Sequence, residues 1–237
     1  MKKCVLFWIM LLSLTILLTG GSLFAHDMWL QPRDEGFIIA VGHKGKIDSY
    51  EPDRVVKVTG FTENAWPVAV DLVKEERSCL AIADEDFCSL TGIFDNRYWL
   101  KTTDGWKNQR DKKGLEVLHE GRSYKHTKHI LRWCEFLAGP LGQRFEIVLL
   151  QDPTKLKEGD CLQVKVFFEG KPASGAKLSK TSNMEKTHDL EEIRGVGPFA
   201  VIVGPPGLQL INAKIEVPIK DRQVIWFAAS LTFCTSK

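Results

Sequence analysis

The chain contains no Cys-x-x-Cys pair, no Gly-x-Ser-x-Gly, no phosphate-binding glycine loop and no His-Glu-x-x-His. These absences argue against a zinc ribbon, a thioredoxin-type redox centre, a serine hydrolase, a P-loop nucleotidase and a zincin protease. Neither sign of charge is in excess: Lys+Arg 32 stand against Asp+Glu 30, a net +2, so nothing recommends nucleic acid as a partner. Beyond residue 25 no apolar run approaches the ~20 residues of a membrane-spanning helix. No internal repeat occurs, and the carboxylates are scattered without an acid–base pairing. The sequence therefore carries none of the motifs of hydrolase or phosphate chemistry.

What is present is a chain of 237 residues, 44% apolar and 26% charged, which describes a globular protein of one or two domains. Ten Pro and nineteen Gly lie between many short apolar stretches. That punctuation favours strands over long helices.

Residues 1–25 read as a secretory signal peptide. Lys2 and Lys3 form a positive start, Cys4 to Leu18 an apolar run, and Gly20-Gly21-Ser22-Leu23-Phe24-Ala25 a small-residue exit. The alternative is a retained N-terminal anchor. The expected location is periplasmic or otherwise exported, with the mature chain either released or held by the uncut segment. Cleavage after Ala25 leaves His26 first, followed by Asp27-Met28-Trp29-Leu30. A free N-terminal histidine can close one chelate ring on a metal ion through its α-amine and Nδ1. Such nitrogen donors suit Ni, Cu and Zn better than Mg or Ca. The competing reading is that some residue must stand at the cut, and His is there by chance.

Five cysteines follow the leader: Cys79, Cys88, Cys134, Cys161 and Cys234. An odd count leaves at least one thiol free. Cys79 and Cys88 bracket a short acidic loop and are the disulfide candidates; the alternative is five unpaired thiols.

The second half has the clearer pattern. Cys161 to Phe168 alternates as a half-buried strand, and Phe145 to Leu150, Ala176 to Lys180, Phe199 to Val203, Leu208 to Ile215 and Val224 to Phe233 supply others. Gly-Pro and Pro-Gly turns separate them, an antiparallel sandwich of immunoglobulin type. The run Gly170-Lys171-Pro172-Ala173-Ser174-Gly175-Ala176 resembles carboxypeptidase-regulatory-like modules. In the first half, Phe37 to Val41, Arg54 to Gly60, Pro67 to Val73 and Ile93 to Lys101 are expected strands. Thr102 to Arg122 is expected to be a long exposed loop, and Ala138-Gly139-Pro140-Leu141-Gly142 a linker. The predicted architecture is all-β with two β-sandwich modules, an N-terminal β domain over 26–139 and an Ig-like domain over 140–237.

His126 and His129, in Tyr124-Lys125-His126-Thr127-Lys128-His129, would share a face on a helix and oppose each other on a strand. They are secondary candidates for metal ligands, against the reading of a solvated basic segment. His119 and His188 are expected at the surface.

These parts together resemble the exported NikM-type family of nickel transport components, which also carries a domain-of-unknown-function label. The resemblance rests on His26-Asp27-Met28-Trp29-Leu30, on Val41-Gly42-His43 with Asp48-Ser49-Tyr50-Glu51-Pro52-Asp53-Arg54-Val55, and on Arg144-Phe145-Glu146-Ile147-Val148. Asp152-Pro153, Gly159-Asp160, Gly170-Lys171-Pro172 and Ala229-Ser230-Leu231-Thr232-Phe233 complete it. It implies an exported all-β protein beside nickel or cobalt uptake systems, with permease and ATPase subunits as membrane partners. It also implies His26 and His43 as metal-facing positions. Lys128 falls where that family tends to carry a lysine, which leaves His126 and His129 outside the pattern. The sequence departs from the family in two places. Lys44-Gly45-Lys46-Ile47 follows His43 where a proline usually stands, and no Asp-Gly turn lies between Asn183 and Gly197.

Three functions are therefore carried forward. The first is a non-enzymatic metal-binding accessory of nickel or cobalt uptake. The second is a histidine-brace copper oxidative enzyme, which needs the same three nitrogens. The third is a metal-free structural or adhesive sandwich.

Overall fold

A computed structural model describes residues 26–43, 46–82, 86–182, 186–192 and 195–235; the expected leader lies outside them. The fold class is all-β, as the sequence predicts, and no α-helix occurs among the described residues. The first half contributes β1 (Asp27–Arg33), β2 (Gly36–His43), β3 (Lys46–Ile47), β4 (Val55–Phe61), β5 (Pro67–Ala69) and β6 (Asp71–Lys74). It continues with β7 (Cys79–Ile82), β8 (Ser89–Thr102), β9 (Gly105–Lys107) and β10 (Val117–Ile130). The second half adds β11 (Phe145–Leu149), β12 (Cys161–Phe168), β13 (Lys171–Pro172) and β14 (Lys177–Ser182). It ends with β15 (Lys186–Glu192), β16 (Phe199–Ile202), β17 (Gly207–Lys220) and β18 (Gln223–Thr235).

These strands form three sheets. A nine-stranded sheet runs β15-β14-β17-β18-β10-β8-β4-β5, with β9 on β8. A five-stranded sheet, β1-β2-β7-β6 with β3 on β2, packs against its N-terminal strands, where Met28, Leu30, Ile39, Val58, Leu90 and Phe94 bury together. A four-stranded sheet, β11-β12-β13 with β16 on β12, packs near its C-terminal strands around Phe145, Leu162, Val164, Phe227 and Leu231. The expected boundary at residue 139 does not separate the sheets. β10 lies before it and β18 after it, yet the two are parallel neighbours from Glu120↔Gln223 to Ile130↔Phe233. The expected linker is also tied down: the Leu141 N–H donates to the Glu146 carboxylate at 2.8 Å, and just past the linker the Gln143 side-chain amide donates to the carbonyls of Gly92 and Thr127, both at 3.1 Å.

β10 explains why the segment around His126 shows no clean period. From Lys125 to Ile130 every residue is buried, because one strand face meets the first hairpin and the other meets the second core. Lys125, Thr127 and His129 turn toward β1 and β2: Lys125 reaches the His26 carbonyl, Thr127 the Ser230 hydroxyl and His129 the Phe37 ring. His126, Lys128 and Ile130 turn the other way, toward Phe227, Glu146 and the C-terminal core. Apolar–polar alternation arises when one face is wet; here neither is. The expected exposed loop over Thr102 to Arg122 is accordingly shorter, since β9 and the start of β10 occupy both its ends. The expected strand over Pro67 to Val73 divides instead between two sheets, as β5 and β6.

The cysteine pairing differs from the sequence expectation. Cys88 is bonded to Cys134, with Cα atoms 6.1 Å apart, and Cys79 is a free buried thiol. The reason is topological. β7 carries Cys79 into the five-stranded sheet, while Cys88 leads into β8 of the nine-stranded one. The Cys88 carbonyl accepts from the backbone N–H of Leu131 at 2.9 Å and of Arg132 at 3.2 Å, which brings Cys134 alongside.

Candidate metal site at the end of the first hairpin

β1 and β2 pair antiparallel from Arg33↔Gly36 to Asp27↔Gly42, so the next step of the register sets His26 opposite His43. Apolar Met28, Trp29 and Leu30 bury β1, while the Ser230 hydroxyl donates to the Met28 carbonyl, locking the strand onto β18. At the far end of β2 the chain folds back as β3, with Gly42↔Ile47 and His43↔Lys46 paired. Gly42 is required there. A Cβ at that position would lie 1.8 Å from the Lys46 carbonyl oxygen, far inside contact distance.

That tight return delivers Asp48. Its backbone N–H donates to the Val41 carbonyl at 2.8 Å, and its Oδ2 lies 3.1 Å from His26 Nε2. Tyr50, two residues on, donates to the Ile39 carbonyl at 2.5 Å and accepts from the Cys79 N–H at 3.1 Å, which holds the segment against the hairpin. Burial raises the Tyr50 phenol pKa above its usual value, so it stays a neutral strut. The His26 and Asp48 side chains are 54% and 41% exposed, so their contact adds little stability. Its consequence is for the tautomer. An ionised carboxylate accepts only, so in a neutral His26 ring this contact favours the tautomer with the proton on Nε2 and the lone pair on Nδ1. Nδ1 is the nitrogen that can chelate together with an α-amine.

Side chains alone do not complete a metal site. Among the described residues no three of His, Cys, Asp or Glu come close enough to hold one ion. His43 is exposed at the end of β2. A site at this hairpin end therefore needs the His26 α-amine as a donor. The residues present fit a site of that kind, a histidine whose other ring nitrogen is held by a carboxylate.

The secondary candidates are placed elsewhere. His126 and His129 point to opposite faces of β10, so their imidazoles cannot share an ion. Burial lowers the pKa of each to about 4, and both are neutral at pH 7. His129 Nδ1 sits 2.8 Å from the Thr232 hydroxyl, and His126 packs on Phe227. His119 lies at the start of β10, and the side chain of His188 lies outside the described residues. Two residues that sequence reasoning did not single out belong to the same region. Asp48 sits inside a quoted motif without a role, and Lys125 gives no signal distinct from its neighbours.

Fold and site together define an all-β protein of packed sheets, with two histidines at the open end of its first hairpin. The family model described as a domain of unknown function, DUF4198, matches residues 23–217, and the chain belongs to that family. No curated protein and no solved structure matches it.

Proposed function

We propose that the exported chain is a non-enzymatic metal-binding accessory protein of a nickel or cobalt uptake system, of the NikM type that its motifs resemble. The ion is bound at the free N-terminus created by cleavage after Ala25. His26 supplies its α-amine and Nδ1, and His43 an imidazole, with copper as the alternative ion for the same nitrogens. The observation that carries this reading is the 3.1 Å contact of Asp48 with His26 Nε2, which engages that ring nitrogen and leaves Nδ1 as the one able to chelate with the α-amine. Three nitrogen donors make an open, labile site, suited to capture an ion and pass it to permease and ATPase subunits rather than to store it. Solvent exposure of His26 and His43 supports transfer in the same sense.

The test is calorimetric titration of Ni²⁺ into protein beginning at His26 and into the same protein with one extra N-terminal residue. The extension turns the amine into an amide and should lower affinity sharply, as should His26→Ala and His43→Ala. Asp48→Ala should weaken binding about 10- to 100-fold, the usual effect of removing a carboxylate behind a ligating histidine. Equal affinity in the extended and mature proteins would refute the site.

A further inference from the structure

The turn from β4 to β5 and the chain on either side of the Cys88–Cys134 bond enclose an open pocket of about 450 Å³. Thr62, Glu63, Asn64, Trp66, Asp86 and Arg132 line it, and none of them belongs to the site at His26. Two backbone hydrogen bonds close the turn, from the Thr62 N–H to the Trp66 carbonyl at 3.1 Å and from the Ala65 N–H to the Thr62 carbonyl at 3.0 Å. Ala65 takes a left-handed φ of 61°, which is costly for a residue with a Cβ and persists only where its surroundings hold it. The turn leaves Trp66 72% exposed, the most exposed large apolar side chain among the described residues. Scattered exposed aliphatics are ordinary, whereas an indole held out beside a pocket is a flat surface ready for a guest. The facing wall is fixed as well. The Cys88 N–H donates to the Phe61 carbonyl at 2.7 Å and the Arg132 N–H to the Cys88 carbonyl at 3.2 Å, which sets Asp86 and Arg132 beside the turn.

Around the indole the pocket is polar and of mixed sign. The Arg132 guanidinium lies 3.2 Å from the Asp86 carboxylate and 3.8 Å from that of Glu63. Exposed pairs of this kind add little stability, but they hold planar groups in place around the pocket. A carboxylate has about four acceptor sites, so one contact with Arg132 leaves each able to take more. Arg132 Nε is buried and has no acceptor among the described residues, and the Asn64 amide can both donate and accept. These groups select against three kinds of guest. A cation is opposed by Arg132, an anion by Glu63 and Asp86, and a wholly apolar molecule would take water from all of them without replacing its hydrogen bonds. A neutral guest with one apolar face and a rim of hydroxyls meets every requirement. A pyranose ring has that form: its C–H face lies flat on an indole through dispersion, and its hydroxyls each donate and accept. The pocket volume falls within the ~300–1,000 Å³ usual for small-molecule sites.

We propose that this pocket binds a neutral sugar ring, stacked on Trp66 with its hydroxyls held by Asn64, Glu63, Asp86 and Arg132. The same chemistry serves a free sugar and one unit of a glycan chain. The site is independent of the metal reading, shares no residue with it and is tested without metal.

Binding of the labelled exported protein to a printed array of neutral mono- and oligosaccharides, in metal-free buffer, decides it. The protein should bind a set of glycans that share one neutral ring, and the soluble form of the strongest should titrate at one site per chain. Trp66→Ala should weaken that binding by about tenfold or more, the loss of one stacked aromatic face. Its melting temperature should not change, since the ring is exposed. Trp66→Phe, which keeps a smaller ring, should fall between the two, and Asn64→Ala should weaken binding several-fold. Equal affinity for the free monosaccharide and the oligosaccharide supports a soluble sugar as ligand, and tighter binding of the oligosaccharide supports a glycan chain. An array on which nothing binds, or binding that survives Trp66→Ala undiminished, overturns the proposal. Ni²⁺ titration of the same variants keeps the two readings separate, because every proposed metal donor remains in them.

Discussion

Lys128 of β10 and Glu146 of β11 form an ion pair with both side chains out of water, 1% and 0% exposed, and so tie the nine-stranded sheet to the four-stranded one. Neither charge depends on the other alone. The ammonium also donates to the Ile147 carbonyl at 3.1 Å, and the carboxylate accepts from the backbone N–H of Leu141 at 2.8 Å and of Gln143 at 3.2 Å. Burial lowers the Lys128 pKa and Glu146 opposes that shift, so removing the carboxylate strands the ammonium. Glu146→Gln or Lys128→Met alone should cost about 3–5 kcal/mol in urea unfolding. The double variant should cost clearly less than the sum, because the glutamine oxygen still accepts from the loop and no charge remains. Additive losses would mean that the pair is not coupled.

The Cys88–Cys134 bond should be found in the exported protein. Counting thiols does not test it, since this pairing and a Cys79–Cys88 bridge each leave three of the five mature cysteines free. Peptide mapping without reduction does: the linked peptides should contain Cys88 and Cys134, with Cys79 reactive only after denaturation. The bond is 46 residues apart in sequence, which corresponds to about 4 kcal/mol of unfolded-state entropy. Cys88→Ala should therefore lower stability markedly, and Cys79→Ala far less.

Much of the second half was legible because its strands are amphipathic or continuous apolar runs between turns. Cys161 to Phe168 is the same strand in sequence and structure. β10 was not legible, because a strand buried on both faces has no wet side to set the alternation. Its lysines and histidines resembled a solvated segment, although Lys128 is paired with Glu146 and burial keeps both histidines neutral. The disulfide was missed for a related reason. Nearness in sequence favoured Cys79, whereas the move from one sheet to another between β7 and β8 is a tertiary fact. Of the candidate site, the leader singled out His26 and the family resemblance His43, and the hairpin register sets the two opposite each other. The contact of Asp48 with His26 depends on how β3 folds back, which spacing does not encode.

A fragment of residues 143–237 should not fold stably alone, although its alternating strands suggest a self-contained sandwich. Cutting there removes β10, which pairs with β18 over eleven successive residues. It also removes Lys128 from Glu146 and leaves β18 as a long unpaired edge, open to aggregation. Residues 26–142 expressed with it should rescue solubility through that shared sheet. A monomeric fragment with a cooperative melting transition on its own would contradict the shared-sheet account.

Acid should destabilise the protein in a window set by its two buried histidines. Burial depresses the pKa of His129, and of His126 despite its hydrogen bond to the Ala228 backbone, to about 4 in each case. The unfolded value is near ~6.5. Between those values the unfolded chain takes up protons that the folded chain refuses, so stability rises with pH there and is fully present above ~6.5. Each histidine should remove roughly 1.4 kcal/mol for every pH unit below that point. Urea midpoints measured at pH 7, 6 and 5 should fall progressively, in a range still above most carboxylate titration. His129→Gln, whose amide can still meet the Thr232 hydroxyl, should show about half the dependence on pH, as should a volume-matched substitution at His126. Midpoints that stay level from pH 7 to 5 would mean that these imidazoles are accessible to protons in the folded protein, and that the closed packing of β10 between the two flanking layers is wrong.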